Sequence, residues 1–261
     1  MDDIGIMGKV AVVTGAAHGI GAAIAFAFAE RGARVAALDC DRDALRSTVE
    51  SIVDKGQQAT GYPVDVRDSA TVDQVVDEVE RDLGPIGILA NVAGVLRTGP
   101  ILDLTDEDFA AMFAVNTYGT FYVCRSVARR MRPRRHGAIV VVGSNAGSVP
   151  RMHMGAYGAS KAATSSFAKS LGLELAGSGI RCNVVSPGST DTDMLRGMWA
   201  NGSGERRTIL GTPEHFRVGI PLGKLGTPSD VAEAVVFLAS ELAGHITMHD
   251  LCVDGGAALG A

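Results

Sequence analysis

The 261-residue chain, 46% hydrophobic with 33 glycines, is long enough for one large α/β domain with a full core. A net charge of −5 excludes a global basic footprint for nucleic acid, and no apolar run approaches the ~20 residues that span a bilayer. Cys40, Cys124, Cys182 and Cys252 follow no CxxC or zinc spacing, so no metal is expected. The acidic start MDDIGIMGK lacks a basic n-region, which makes a reduced, cytoplasmic protein the expectation.

KVAVVTG (9–15) reads as a strand, and IGAAIAFAFAERG (20–32) as a helix stopped by Gly32. RVAALD (34–39) is a second strand, followed by a polar helix near 41–54. TGYPVDV (60–66) holds a short strand ending in Asp65 and Val66, and a helix covers 68–84. IGILANVAG (86–94) is strand four; a long helix spans 103–131, with Thr105 a candidate N-cap. GAIVVVGS (137–144) is strand five, then come a helix at 156–176 and a sixth strand, IRCNVVSPG, at 180–188. A last helix (228–240) and strand (248–256) close the chain. Such alternation, with strands apolar on both faces, means a single-domain, doubly wound, mostly parallel seven-stranded sheet with helices on both faces. The irregular stretch 190–225 follows strand six at the carboxyl edge, where it reads as a substrate lid or an ordinary surface excursion.

Between strand one and its helix, TGAAHGIG places glycines at 15, 19 and 21. Without Cβ atoms the backbone can approach a pyrophosphate, and the free N–H groups of the helix start hold its charge. His18 and Ile20 belong to the same turn. Asp39 ends strand two, 18 residues past Gly21, where a carboxylate binds ribose hydroxyls and repels a 2′-phosphate. No Arg or Lys stands at 18 or 40. The expected cofactor is therefore NAD rather than NADP. Asp65, Val66, Asn91 and Gly94 lie on the same edge; Asp65 reads equally as an adenine contact or a helix cap.

In GAYGASKAA (155–163), Tyr157 and Lys161 stand four residues apart and share one helical face. Ser144 ends strand five and Asn116 lies in the long helix. With the TGxxxGxG turn and the Pro187-Gly188 pair, these residues resemble the short-chain dehydrogenase/reductase family over about residues 8–256. The resemblance implies a Rossmann fold, with Tyr157 as acid/base and Ser144 bonding the substrate oxygen. Asn116 would hold a relay water, and Thr192, in the segment with Thr190, would bond the nicotinamide carboxamide. A free phenol titrates near 10; bringing it to ~7 takes about 4 kcal/mol, which Lys161 and the positive nicotinamide can supply.

Segments 174–194 and 219–261 resemble, within that family, the subgroup that oxidises 2,3-dihydro-2,3-dihydroxybenzoate with NAD for catechol siderophores. The implied substrate is a small cyclic dihydrodiol carboxylate, and the implied assembly a homotetramer packed through the helices at 103–131 and 156–176. Arg97 and Arg151 follow strands four and five, where either can meet a carboxylate or pair on the surface. Met154 and Met194 fit an apolar ring pocket or plain packing. The basic run at 125–136 complements a helix end, and His245 with His249 reads as structural. Three rivals stand beside this reading. An NADPH-dependent 3-oxoacyl thioester reductase is opposed by Asp39, and an NAD-binding sensor or scaffold by the intact Ser144–Tyr157–Lys161 set. A dehydrogenase of another cyclic alcohol stays open.

Overall fold

The computed structural model describes residues 3–199 and 204–260. Seven strands form one sheet: β1 Val10–Thr14, β2 Arg34–Asp39, β3 Gln58–Pro63, β4 Ile86–Asn91, β5 Gly137–Val142, β6 Ile180–Pro187 and β7 Asp250–Val253. The order is β3-β2-β1-β4-β5-β6-β7 and every pairing is parallel. β1 and β5 are buried along their whole length, because helices cover both faces and each side chain meets a core on one side or the other. The chain reverses its direction of winding between β3 and β4, which leaves a crevice above the carboxyl ends of β1 and β4.

One face carries α1 Gly19–Glu30, α2 Arg42–Val53 and α9 Pro228–Ala239, whose Ile24, Phe28, Ile52 and Val235 share a core with Val13 and Val140. The other carries α3 Ser69–Leu83, α5 Thr120–Arg134 and α6 Gly155–Ala176, packed through Val76, Val127 and Ala168 on Val12 and Ile139. The remaining helices are α4 Asp106–Phe113, α7 Asp193–Arg196 and α8 Gly204–Leu210. Thr105, the expected N-cap, accepts a first-turn N–H, as do Asp41, Asp68 and Thr192 at their helices, and Thr227 forms a capping box with Asp230.

Three sequence expectations are corrected. The helix at 103–131 is two helices, α4 and α5, joined by a π-helical turn over Ala114–Gly119. There the Asn116 carbonyl, displaced from the regular ladder, accepts the hydroxyls of Thr120 (2.7 Å) and Thr164 (2.9 Å). β3 ends at Pro63, so Asp65 and Val66 lie in the loop beyond it. β7 is shorter than 248–256. The stretch at 190–225 holds α7, α8 and a 3-10 turn at Pro213–His215; its residues 200–203 lie outside the described ones.

Among the described residues, no helix is long and apolar enough to cross a membrane. None of them form a group of three or more His, Cys, Asp or Glu placed to hold a metal ion.

Candidate active site

Ser144 stands two residues beyond β5, where its hydroxyl accepts Ala146 N (3.2 Å) and starts the 3-10 turn Asn145–Gly147. That turn lies against α6 so closely that a Cβ on Gly147 would come within 3.0 Å of Ala162 N. The contact brings Ser144 over the first turns of α6, which carry Tyr157 and Lys161. Lys161 is buried, and its Nζ donates to the Val142 carbonyl (2.9 Å), tying α6 to the end of β5. The same Nζ lies 5.9 Å from the Tyr157 ring centroid.

Burial pushes the Tyr157 phenol above its usual value, and the hydrogen bond with Ser144 only partly opposes it. Burial also pulls the Lys161 ammonium down to about 8. Desolvation is thus the larger of the two effects on the phenol.

Asn116 and Asn91 do not line the cleft; both are buried in its wall. The Asn116 Oδ1 accepts Val95 N (2.8 Å), and its Nδ2 donates to Val95 O (3.0 Å) and Ser160 Oγ (2.9 Å). It thus clamps the loop after β4 to α6. Gly94 separates it from the ammonium: a Cβ there would sit 3.2 Å from Asn116 Oδ1 and 3.4 Å from Lys161 Nζ. Asn91 donates to Thr120 Oγ1 (2.9 Å) beside Thr14.

At the crevice, Gly15 has φ +67°, and a Cβ there would lie 3.0 Å from the Ala93 backbone. A Cβ on Gly21 would collide with the Gly15 carbonyl. α1 has no side-chain cap and no acid in its first turn, so its N–H groups stay open to an anion. Asp39 is fixed: one carboxylate oxygen accepts Ala17 N (3.0 Å) and the other Asp41 N (3.1 Å). His18 is exposed, with its ring 3.1 Å from Asp41. Arg67 holds the Asp65 carboxyl below the usual range (2.6 Å), and the capping role falls to Asp68. This cradle fits a dinucleotide.

The cleft has a volume of about 660 Å³. It brings together Gly15, His18, Gly19, Ile20, Gly21, Asp39, Asp65, Val66 and Gly94 with Pro187, Gly188, Thr190 and Thr192. Ser144, Tyr157 and Lys161 line it too, so the catalytic and dinucleotide-binding candidates share one space.

Residues 15–258 match a family model described as Enoyl-(Acyl carrier protein) reductase. The chain belongs to the short-chain dehydrogenase/reductase family. It is 55% identical over 260 residues to 2,3-dihydro-2,3-dihydroxybenzoate dehydrogenase of Bacillus subtilis (strain 168), covering 100% of both chains. It is 46% identical to the protein of the same name from Escherichia coli (strain K12), covering 97% of this chain and 98% of that one. Among solved structures it is similar to 7α-hydroxysteroid dehydrogenase complexed with NADH and 7-oxo glycochenodeoxycholic acid. There the TM-score is 0.90 and the identity 31%, covering 98% of this chain and 96% of that one.

In this dehydrogenase cleft, Arg97, Arg151, Met154 and Met194 also stand on the lining. Arg97 is exposed at the rim, 3.5 Å from Asp108. Arg151 is half-buried and donates to the Ala257 carbonyl (3.1 Å). Sequence reasoning missed Arg217, which comes from the irregular stretch and lines the same cleft. Its only signal was an Arg enclosed by apolar residues in HFRVGIPLG; nothing in the spacing tied it to Tyr157.

Proposed function

We propose that this chain catalyses NAD-dependent oxidation of 2,3-dihydro-2,3-dihydroxybenzoate to 2,3-dihydroxybenzoate. The observation that carries the reading is its full-length likeness to two relatives bearing one name, at 55% and 46% identity. The cleft supports it with a Ser–Tyr–Lys set, in which Ser144 and Lys161 are buried and Tyr157 is half-buried, beside arginines suited to a carboxylate.

When bound, NAD is the hydride acceptor. The glycine turn of residues 15–21 and the start of α1 would hold its pyrophosphate, with Asp39 on the ribose hydroxyls. Asp65, Val66 and Gly94 would flank the adenosine side. Pro187, Gly188, Thr190 and Thr192 would border the nicotinamide. Tyr157 takes the proton from the substrate hydroxyl as the hydride leaves the same carbon, so that carbon gains a C=O bond and loses two electrons. Ser144 donates to the reacting oxygen and keeps it within reach of the phenol. Lys161 holds positive charge beside the phenolate, and Asn116 keeps α6 and the loop after β4 in register. The ketone then tautomerises to a catechol, and aromatisation draws the reaction forward. Met154 and Met194 would pack on the ring, with Arg151 facing the carboxylate. The stretch 190–225 would act as a lid.

Phe109, Phe121 and Leu173 are exposed apolar side chains on α4, α5 and α6, which supports packing of these helices in a homotetramer. A cytoplasmic location completes the proposal.

The test is nicotinamide reduction, followed by absorbance, with 2,3-dihydro-2,3-dihydroxybenzoate and either NAD or NADP. Reduction with NAD and a catechol product is expected. Tyr157→Phe should abolish turnover by at least 10³-fold while NAD still binds; a sensor or scaffold would be indifferent to that change. No reduction by protein that binds NAD would overturn the substrate assignment.

A further inference from the structure

The arginines around the cleft divide into two kinds. Arg97 pairs with Asp108 (3.5 Å), Arg196 with Asp191 (2.8 Å) and Arg207 with Glu214 (2.7 Å). Arg151 and Arg217 pair with no acid within salt-bridge distance among the described residues. Arg151 bonds a neutral carbonyl, and Arg217 donates to the Ser189 hydroxyl (2.8 Å). The acid that Arg151 feels most, Asp254, is already engaged: it accepts Asn145 Nδ2 (3.0 Å), Gly256 N (2.8 Å) and Ala258 N (2.8 Å).

Both guanidiniums are pushed below their usual value by burial, and Arg151 adds its like charge to the effect on Arg217. Two desolvated like charges facing one cavity are an electrostatic cost, which an anion between them relieves. The position of Arg217 is also built. Thr212 and Arg217 exchange two backbone hydrogen bonds (2.9 and 3.1 Å) in a tight hairpin. Gly211 and Gly219 flank it, both at φ +87°, and a Cβ on either would meet the other's backbone at 2.7 Å. This geometry aims one guanidinium from the segment after β6 at the cleft that Arg151 enters from the segment after β5. The apolar walls of the same space include Met154, Met194 and Met198, which suit a ring but offer nothing to a carboxylate.

We infer that Arg217, together with Arg151, forms the seat of the substrate's carboxylate, resting on the dihydrobenzoate reading above. Each guanidinium has free N–H donors, and the planar fork matches a carboxylate in two directions. Arg97, shared with Asp108 at the rim, is not part of the seat. Because Arg217 belongs to the segment after β6 and Arg151 to the body, a bridging carboxylate also ties the two together over the ring.

Calorimetry on the enzyme–NAD complex tests this with two probes, 2,3-dihydroxybenzoate and catechol, which differ by the carboxylate alone. The wild type should bind the carboxylated probe at least 30-fold more tightly. Arg217→Gln should cut that ratio at least tenfold, leaving the catechol and NAD dissociation constants within twofold. Arg217→Lys should recover part of the ratio, and Arg97→Gln should leave it unchanged. A preserved ratio in Arg217→Gln, its loss in Arg97→Gln, or no carboxylate preference in the wild type would overturn the inference. Turnover is measured on the same preparations. Failure to oxidise the dihydrodiol, with Arg217-dependent binding of 2,3-dihydroxybenzoate intact, would sink the substrate reading and leave the carboxylate seat standing.

Discussion

Replacing Asp39 by Ser should erase the preference for NAD over NADP. The carboxylate cannot swing away from a 2′-phosphate, because both oxygens are held by backbone N–H groups at 3.0 and 3.1 Å. A unit charge about 4 Å away costs ~1 kcal/mol in bulk water and ~4 kcal/mol at the effective dielectric near a protein surface. Asp39 is partly exposed, so a middle value of ~2–3 kcal/mol is appropriate, before the second phosphate charge is counted. Discrimination against NADP should therefore be on the order of 10²-fold or more. The variant should gain ~30–100-fold in kcat/KM with NADP. It should lose roughly tenfold or more with NAD, because a charged hydrogen bond to the ribose is worth ~1.5–3 kcal/mol. Steady-state kinetics with both cofactors, alongside a melting curve, measure this. Equal use of the two cofactors by the wild type would refute the argument, as would an unchanged ratio in a well-folded variant.

Lys161→Met should lose at least 10²-fold in kcat yet stabilise the fold. The lysine's folded value of about 8 lies below the usual 10.5, so below pH 8 the native state bears the cost of a buried charge. That cost is relieved as pH rises from 8 to 10.5, and its full size is about 3 kcal/mol. Urea unfolding at pH 7 and pH 10 should show a gain for the variant that is larger at pH 7; a loss at pH 7 would contradict this balance. Oxidation by the wild type should quicken as pH rises through neutrality, since burial holds the Tyr157 phenol protonated; a flat profile between pH 6 and 8 would count against Tyr157 as the base. Thr227→Ala removes the capping box of α9 and should cost ~1 kcal/mol, or roughly 2–4 °C in melting temperature, with unchanged kcat. A loss of turnover in that variant would place α9 in the chemistry.

The sheet and its crevice were legible in the chain itself. Apolar runs such as VAVVT and GAIVVV admit no other burial, and glycines 15, 19 and 21 with Asp39 stand at spacings that a strand–turn–helix unit imposes. Tyr157 and Lys161 are one helical turn apart, so their alliance needed no tertiary information. The tertiary structure decided the rest, because it depends on groups far apart in the chain. Asn116 was readable as a polar residue in a helix, but not as the clamp between Val95 and Ser160, nor as the site of a π turn relieved by Thr120 and Thr164. The direction of the Tyr157 shift turned on burial, which composition does not report. Arg217 lies 66 positions from Arg151 in the sequence, and local patterning cannot say that two cations share one cavity. Only packing of the segment after β6 against the loop after β5 leaves both without an acid among the described residues.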